Sequence, residues 1–223
     1  MIGIVVALTS ELKPLLSAVE NLKEIKLADK MAFSCKICGL DAVIVVSGIG
    51  KVSAGLSTQL VIDKFSPDYI LNFGTCGAVN DSVKALNYYA VDKCCQYDFD
   101  LRDLDGVPLG YIQEYDRVFF PTIVSGLEFL PKTALASADR FTHTEKDVAS
   151  VNDIGCSLCD MEGGAIAQVC LSNNVPLVVI KGITDVFGSG TNQEQFFQNL
   201  KQVGEGFPAV IKKVVKQIKI NKQ

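Results

Sequence analysis

PLVVIKGITDVFGSG, residues 176–190, decides the fold. A proline opens it, apolar and mostly β-branched residues fill it, and Thr184, Asp185 and glycines close it. Such a run is too short for a buried helix and has no alternation, so it reads as a strand buried on both faces. Three other segments repeat the pattern. IGIVVAL (2–8) passes into TSELKPLL, where Ser10 is the expected helix cap and Pro14 falls in the first turn. AVIVVSGIGK (42–51) leads into a stretch with helical spacing, and DYILNFGTCGAV (68–79) ends in a glycine-flanked loop. LCDMEGGAIAQVC (158–170) fits a fifth strand-to-helix unit, ending at Asn173–Asn174 before Pro176. Apolar strands alternating with helices predict an α/β domain with a mainly parallel sheet covered on both sides.

At 223 residues the chain suits one domain, 1–223, with a sizeable core. Its net charge of −4 gives no footprint for nucleic acid, and only Arg102, Arg117 and Arg140 offer guanidinium groups for a phosphate. No apolar stretch is long enough to span a bilayer, and the opening strand has no basic n-region, so a soluble cytoplasmic protein is expected. Eight cysteines then read as reduced thiols. The pairs Cys35–Cys38 and Cys156–Cys159 fall in runs read as strands, where such spacing points to opposite faces, so no metal is expected. Residues 92–135 lack clean periodicity and read as a lid or interface loop. The stretch 193–220 reads as helix, with Pro208 as a kink or break and Lys212, Lys213, Lys216 and Lys219 on a solvated face.

In open α/β sheets ligands sit beyond the carboxyl ends of the strands. Glu11, Ser47 to Lys51, Thr75, Glu162 and Asp185 fall there. Each has an ordinary reading: a first-turn acid for Glu11 and Glu162, an Asx turn for Asp185. SGIGK lacks the phosphate-loop spacing and GTCGA lacks the dinucleotide one. His143 reads as a loop residue. Three carboxylates gathered at one edge nevertheless imply a ligand.

The ordered set IGIVVALTSEL, SGIGKVSAG, NFGTCGAV, SADRF, DMEGGAIAQV and VIKGITDV resembles the purine nucleoside phosphorylase superfamily, and within it the nucleosidases that cleave methylthioadenosine and S-adenosylhomocysteine. The resemblance implies a single-domain three-layer α/β/α fold with a central mixed, mostly parallel twisted sheet. It also implies hydrolysis of the N-glycosidic bond of an adenine nucleoside, no cofactor, no metal, no nucleic-acid or membrane partner, and a homodimer. On this reading Asp185 donates to adenine N7, Glu162 holds the ribose hydroxyls, and Glu11 activates water. Phe141 and Thr142 meet the adenine, Met161 the ribose, and Thr75 lies near the water. Thr184, Ile49 and Gly77 complete the substrate-binding set. Leu101, Leu104, Val107 and Leu109 are expected at the 5′ pocket.

The phosphorylases of this fold hold phosphate with arginine, one of them where Asn72 stands here, which favours hydrolysis. Lys181 replaces the arginine usual two residues before I-[ST]-D. Ala138 replaces a glycine, and Gly163 and Gly164 stand where alanine or threonine is common. Asp160 has no assigned role. A phosphorylase, a futalosine-type hydrolase and a nucleoside-binding protein without turnover are the competing readings.

Overall fold

A computed structural model describes residues 1–190, 193–218 and 220. In chain order the elements are β1 (Ile2–Val6), α1 (Thr9–Leu16), β2 (Glu20–Leu27), β3 (Lys30–Ile37), β4 (Leu40–Val46), α2 (Lys51–Phe65), β5 (Tyr69–Ala78) and β6 (Tyr88–Gln96). There follow α3 (Arg102–Asp105), β7 (Phe120–Pro121), β8 (Lys132–Ser137), α4 (Glu145–Asp153), β9 (Leu158–Asp160), α5 (Gly163–Ser172), β10 (Leu177–Val186) and α6 (Gln193–Gln217).

The strands form one mixed sheet ordered β2-β3-β4-β1-β5-β9-β8-β6-β10, and β10 also pairs with β5. That extra pairing closes β5, β9, β8, β6 and β10 into a ring. Five pairings are parallel, including β1 with β4 and β5, and β5 with β10. Five are antiparallel: two at the β2–β3–β4 edge, two where β6 and β9 complete the ring, and that of β7 with β6.

Alternation along the apolar strands sends side chains into two cores. Ile2, Ile4 and Val6 of β1 join Phe73, Leu12 and Leu15 of α1 and Phe207, Ile211 and Val214 of α6. Val5, Val45 and Val179 join Ala54 and Val61 of α2 and Ile166 and Cys170 of α5. Helices therefore cover both faces, which is why these strands show no polar alternation.

Several expectations differ in detail. Leu8, not Ser10, caps α1, and Glu11 supplies the carboxylate that accepts the Leu8 N–H at 3.1 Å. Pro14 lies in the second turn. β2 escapes a hydrophobic reading because it is an exposed edge hairpin strand with a charged sequence. The latter part of β6 and most of β8 fall inside the stretch expected to be irregular. β8 is alanine-rich, and Ala favours helix until the pairing with β6 and β9 overrides it. α6 runs unbroken through Pro208, since burial of Phe207, Ile211 and Val214 offsets the lost hydrogen bond. Lys213 lies over the Phe129 ring at 4.0 Å, and Lys219 falls outside the described residues. Only Cys35 and Cys159 of the two CxxC pairs lie in strands; Cys38 occupies a positive-φ turn and Cys156 precedes β9.

Candidate active site

β10 and β5 run in register until Ile183, where a bulge sets Thr184 and Asp185 against the single residue Gly77. An extra residue at a strand end re-aims the side chain that follows it. The Thr184 hydroxyl, almost fully buried, donates to Asp185 Oδ1 at 2.7 Å and lies 3.2 Å from the Cys76 carbonyl. Its own carbonyl accepts from Asn199 Nδ2 at 2.7 Å, tying the bulge to α6. The structure thus sets Thr184 behind Asp185. Gly77 is held between Cys159 and Asp185: a Cβ there would sit 3.3 Å from Cys159 Sγ and 3.4 Å from Asp185 Oδ2. Burial raises the Asp185 carboxyl, opposed in part by the Thr184 hydroxyl.

Glu11 leaves α1 toward the end of β5. Its Oε1 accepts from the Thr75 amide at 2.7 Å and the Thr75 hydroxyl at 2.8 Å. Its second oxygen holds the helix start, so one buried carboxylate does two structural jobs and still borders a cavity of about 250 Å³. Ser10, Lys13, Phe197, Leu200 and Lys201 also line that cavity, between α1 and α6.

Glu162 is the second residue off β9 and caps α5. Its Oε1 accepts the Gly50 N–H, at the N-terminus of α2, at 2.9 Å. Burial first and the neighbouring Asp160 second push its carboxyl up to about 7, against the pull of Lys181 and the Gly50 amide; Glu11 adds to the rise. Asp160 receives the amides of Glu162 and Gly163 and the hydroxyl of Ser137, and pairs with Lys181 Nζ at 2.8 Å. Burial would lower the Lys181 ammonium, but the charges of Asp160 and Glu162 outweigh it and hold the lysine above its ordinary value.

The two glycines after Glu162 have a steric reason. A Cβ on Gly164 would lie 2.6 Å from the Cys95 carbonyl oxygen, and one on Gly163 would lie 2.5 Å from Leu135 Cδ2. The backbone contact at Gly164 cannot be relieved by a rotamer change. Gly164→Ala is expected to cost about 1–3 kcal/mol, read as a lowered midpoint in urea with unchanged slope. A midpoint equal to wild type would refute this packing argument.

The remaining predicted residues sit on two loops that are bound to each other. Lys51 donates its amide to Asp139 at 2.7 Å and its ammonium to Asp98 at 2.6 Å; Asp98 in turn accepts the Asp139 amide at 2.8 Å. The lysine of SGIGK is therefore committed to carboxylates, against the phosphate-loop reading. The loops carry Ile49 and Phe141, which are 55% and 62% exposed and so free to cover a ligand. Thr142 is fixed through its hydroxyl to Tyr97 at 2.7 Å. Met161 is partly exposed between Asp160 and Glu162. Leu104 of α3 is 77% exposed, and Leu101, Val107 and Leu109 are partly exposed.

Sequence reasoning passed over Asp160, Ser137, Asp98 and Asp139. One signal was available: Lys181 stands inside a fully apolar strand, and a buried cation demands a buried anion. A larger cavity of about 900 Å³ opens at the opposite ends of the strands, near Tyr69 and Leu177, but among the described residues Asp68 is the only carboxylate lining it. The chemistry-bearing groups converge at the other end.

The model for the phosphorylase superfamily matches residues 1–218. The chain belongs to that superfamily. It is 31% identical over 210 residues to the 5′-methylthioadenosine/S-adenosylhomocysteine nucleosidase of Buchnera aphidicola, covering 88% of each chain. The structure of the corresponding Colwellia psychrerythraea nucleosidase in complex with adenine superposes with a TM-score of 0.86 at 27% identity, covering 99% of this chain and 97% of that one. The futalosine hydrolase of Helicobacter pylori superposes with a TM-score of 0.86 at 26% identity, covering 96% and 97%. Within this superfamily, the mixed sheet and the two helical layers are the shared scaffold.

Proposed function

We propose that the protein hydrolyses the N-glycosidic bond of 5′-methylthioadenosine, S-adenosylhomocysteine or both, as a single catalytic domain. The observation that carries this is the gathering of three carboxylates, each with its own hydrogen-bond partners, at one edge of the sheet. Asp185, whose carboxyl burial raises, takes the role of acid toward adenine N7. Glu11, anchored by Thr75, accepts a proton from water as its oxygen bonds to C1′. Glu162, steadied by the Gly50 amide, accepts from ribose hydroxyls and faces the positive charge that develops on the sugar. As the C1′–N9 bond breaks, its electron pair passes into the purine, which leaves as adenine; the other product is the 5-substituted ribose. The acid at the leaving group and the base at water parallel glycoside hydrolysis. Phe141, Ile49, Met161 and Thr142 enclose the nucleoside on this reading, with Gly77 giving access to Asp185.

The placement of the arginines supports water over phosphate. Arg102 is paired with Asp100 and Arg140 with Asp147, while Arg117 donates to the Tyr115 carbonyl. Asn72 is buried and donates to the Val5 carbonyl. Adenine should appear when the protein is incubated with methylthioadenosine in phosphate-free buffer, and added phosphate should not accelerate it. Release only with phosphate, together with ribose 1-phosphate, would establish a phosphorylase instead.

Lys13 and Lys201 at the cavity beside Glu11 favour a second reading, a futalosine-type nucleoside whose 5′ group bears a carboxylate without the ammonium that accompanies it in S-adenosylhomocysteine. Comparing kcat/KM for methylthioadenosine, S-adenosylhomocysteine and futalosine separates the two. We also infer a homodimer in a reducing cytoplasm. Val52, Leu56 and Leu104 expose apolar side chains at 81%, 50% and 77%, and all eight cysteines are unpaired. Light scattering should return twice the chain mass of 24.1 kDa.

A further inference from the structure

We propose that Asp160 and Lys181 are a positioning pair for Glu162, in which Asp160 aims the side chain and Lys181 supplies the positive charge that lets it meet the substrate as an anion. This rests on the proposed role of Glu162 at the ribose.

The geometry is specific. Asp160 ends β9, and its carboxylate accepts the amide of Glu162 at 3.2 Å and that of Gly163 at 3.0 Å. Those contacts fix the backbone turn from which Glu162 projects. The Ser137 hydroxyl donates to the same carboxylate, while its oxygen accepts the Gly164 amide at 2.7 Å, so β8 braces the turn from behind. Lys181 reaches across from β10, and its side chain is 3% exposed against 2% for Asp160. A fully buried ion pair gives little net stability, since desolvation offsets most of the attraction. Its retention beside a third buried acid therefore calls for another explanation.

Four groups bear on Glu162: Asp160 on β9, Lys181 on β10, Glu11 on α1, and the Gly50 amide at the start of α2. Two acids oppose its ionisation, and one cation and one helix N-terminus favour it. The cation is therefore the only full positive charge among these four groups. With Lys181 neutral, Glu162 would be held as an acid across the working range. With Asp160 neutral, Lys181 would serve Glu162 alone. The two residues thus pull on Glu162 in opposite senses, although each is the other's partner. A pair whose role is only to hold β9 against β10 has no such signature, because breaking it from either side gives the same loosening.

The test uses Asp160→Asn, Lys181→Met and the charge-free double variant Asp160→Asn/Lys181→Met. In each, the Glu162 carboxyl is titrated by its 13C shift in the ligand-free protein, assigned against Glu162→Gln, and kcat/KM for adenine release is measured against pH. The Glu162 midpoint and the acid limb of the profile should both fall in Asp160→Asn and both rise in Lys181→Met, by about 1–3 pH units. The double variant should return toward wild type. Shifts of the same sign in the two single variants, or no shift in either, overturn the proposal. If Lys181→Met does not fold, Asp160→Asn and the double variant decide: the first must titrate lower, and the second must titrate above the first. The carboxyl titration does not depend on turnover. Opposite shifts in a protein that releases no adenine would leave the pair standing and remove the nucleosidase reading. Adenine release with an unmoved carboxyl would do the reverse.

Discussion

Asp185→Asn is expected to lower kcat for adenine release by about 10²–10⁴ while the Kd for a non-hydrolysable adenine nucleoside changes only several-fold. The substitution keeps the shape at the β10 bulge. Asparagine can still accept from the Thr184 hydroxyl, which now contacts Asp185 Oδ1 at 2.7 Å, and it can still donate a weak hydrogen bond toward N7. It cannot transfer a proton. The loss should therefore appear once the C1′–N9 bond is breaking and the purine gathers negative charge, rather than on binding. Presteady-state adenine release and equilibrium binding separate the two effects. A variant with wild-type kcat would remove the acid role from Asp185, and one that no longer binds would make it a recognition residue instead.

Glu162→Gln is expected to make the protein both less active and more stable at alkaline pH. Activity should fall by about 10²–10³ in kcat/KM, because the charge that faces the developing ribosyl cation is gone. The stability change follows from linkage. In the folded protein the Glu162 carboxyl sits at about 7, against 4.5 for the free side chain. Below pH 4.5 it is protonated in both states and glutamine is a close mimic. Between pH 4.5 and 7 the unfolded chain ionises this acid while burial keeps it protonated in the folded state, so wild type progressively loses stability that the glutamine variant keeps, and the loss is complete above pH 7. The difference amounts to about 3 kcal/mol at pH 8, equivalent to roughly 6–12 °C in Tm, and it should shrink to near zero at pH 4.5. Thermal melts of both proteins at the two pH values test this directly. A glutamine variant less stable at pH 8 would mean that the Gly50 hydrogen bond outweighs desolvation.

The trade-off has a structural reading. Glu162 is placed by the N-terminus of one helix and caps another, so the fold tolerates its charge without being stabilised by it. Asp160, two residues before it, is held by amides, a hydroxyl and an ammonium. Two acids one residue apart at a strand end therefore separate into a structural anion and a group whose ionisation is free to respond to a ligand.

The sequence by itself determined the α/β class and the edge of the sheet that carries the chemistry. Apolar runs such as IGIVVAL and PLVVIKGI can only be strands buried on both faces, and Glu11, Glu162 and Asp185 punctuate their ends. Local pattern suffices for this, because burial on two faces removes nearly every polar residue from a strand except at its end. It did not reveal β2, β6 or β8, whose charged, mixed or alanine-rich sequences become strands only through their neighbours. Nor did it reveal the closure of β5 onto β10, the bulge that turns Asp185 beside Gly77, or the partner that Asp160 finds in Lys181. Those depend on contacts between residues far apart in the chain. The ionisation of a buried acid is set by such contacts, since in a low-dielectric interior the nearest charge outweighs any preference of the residue itself.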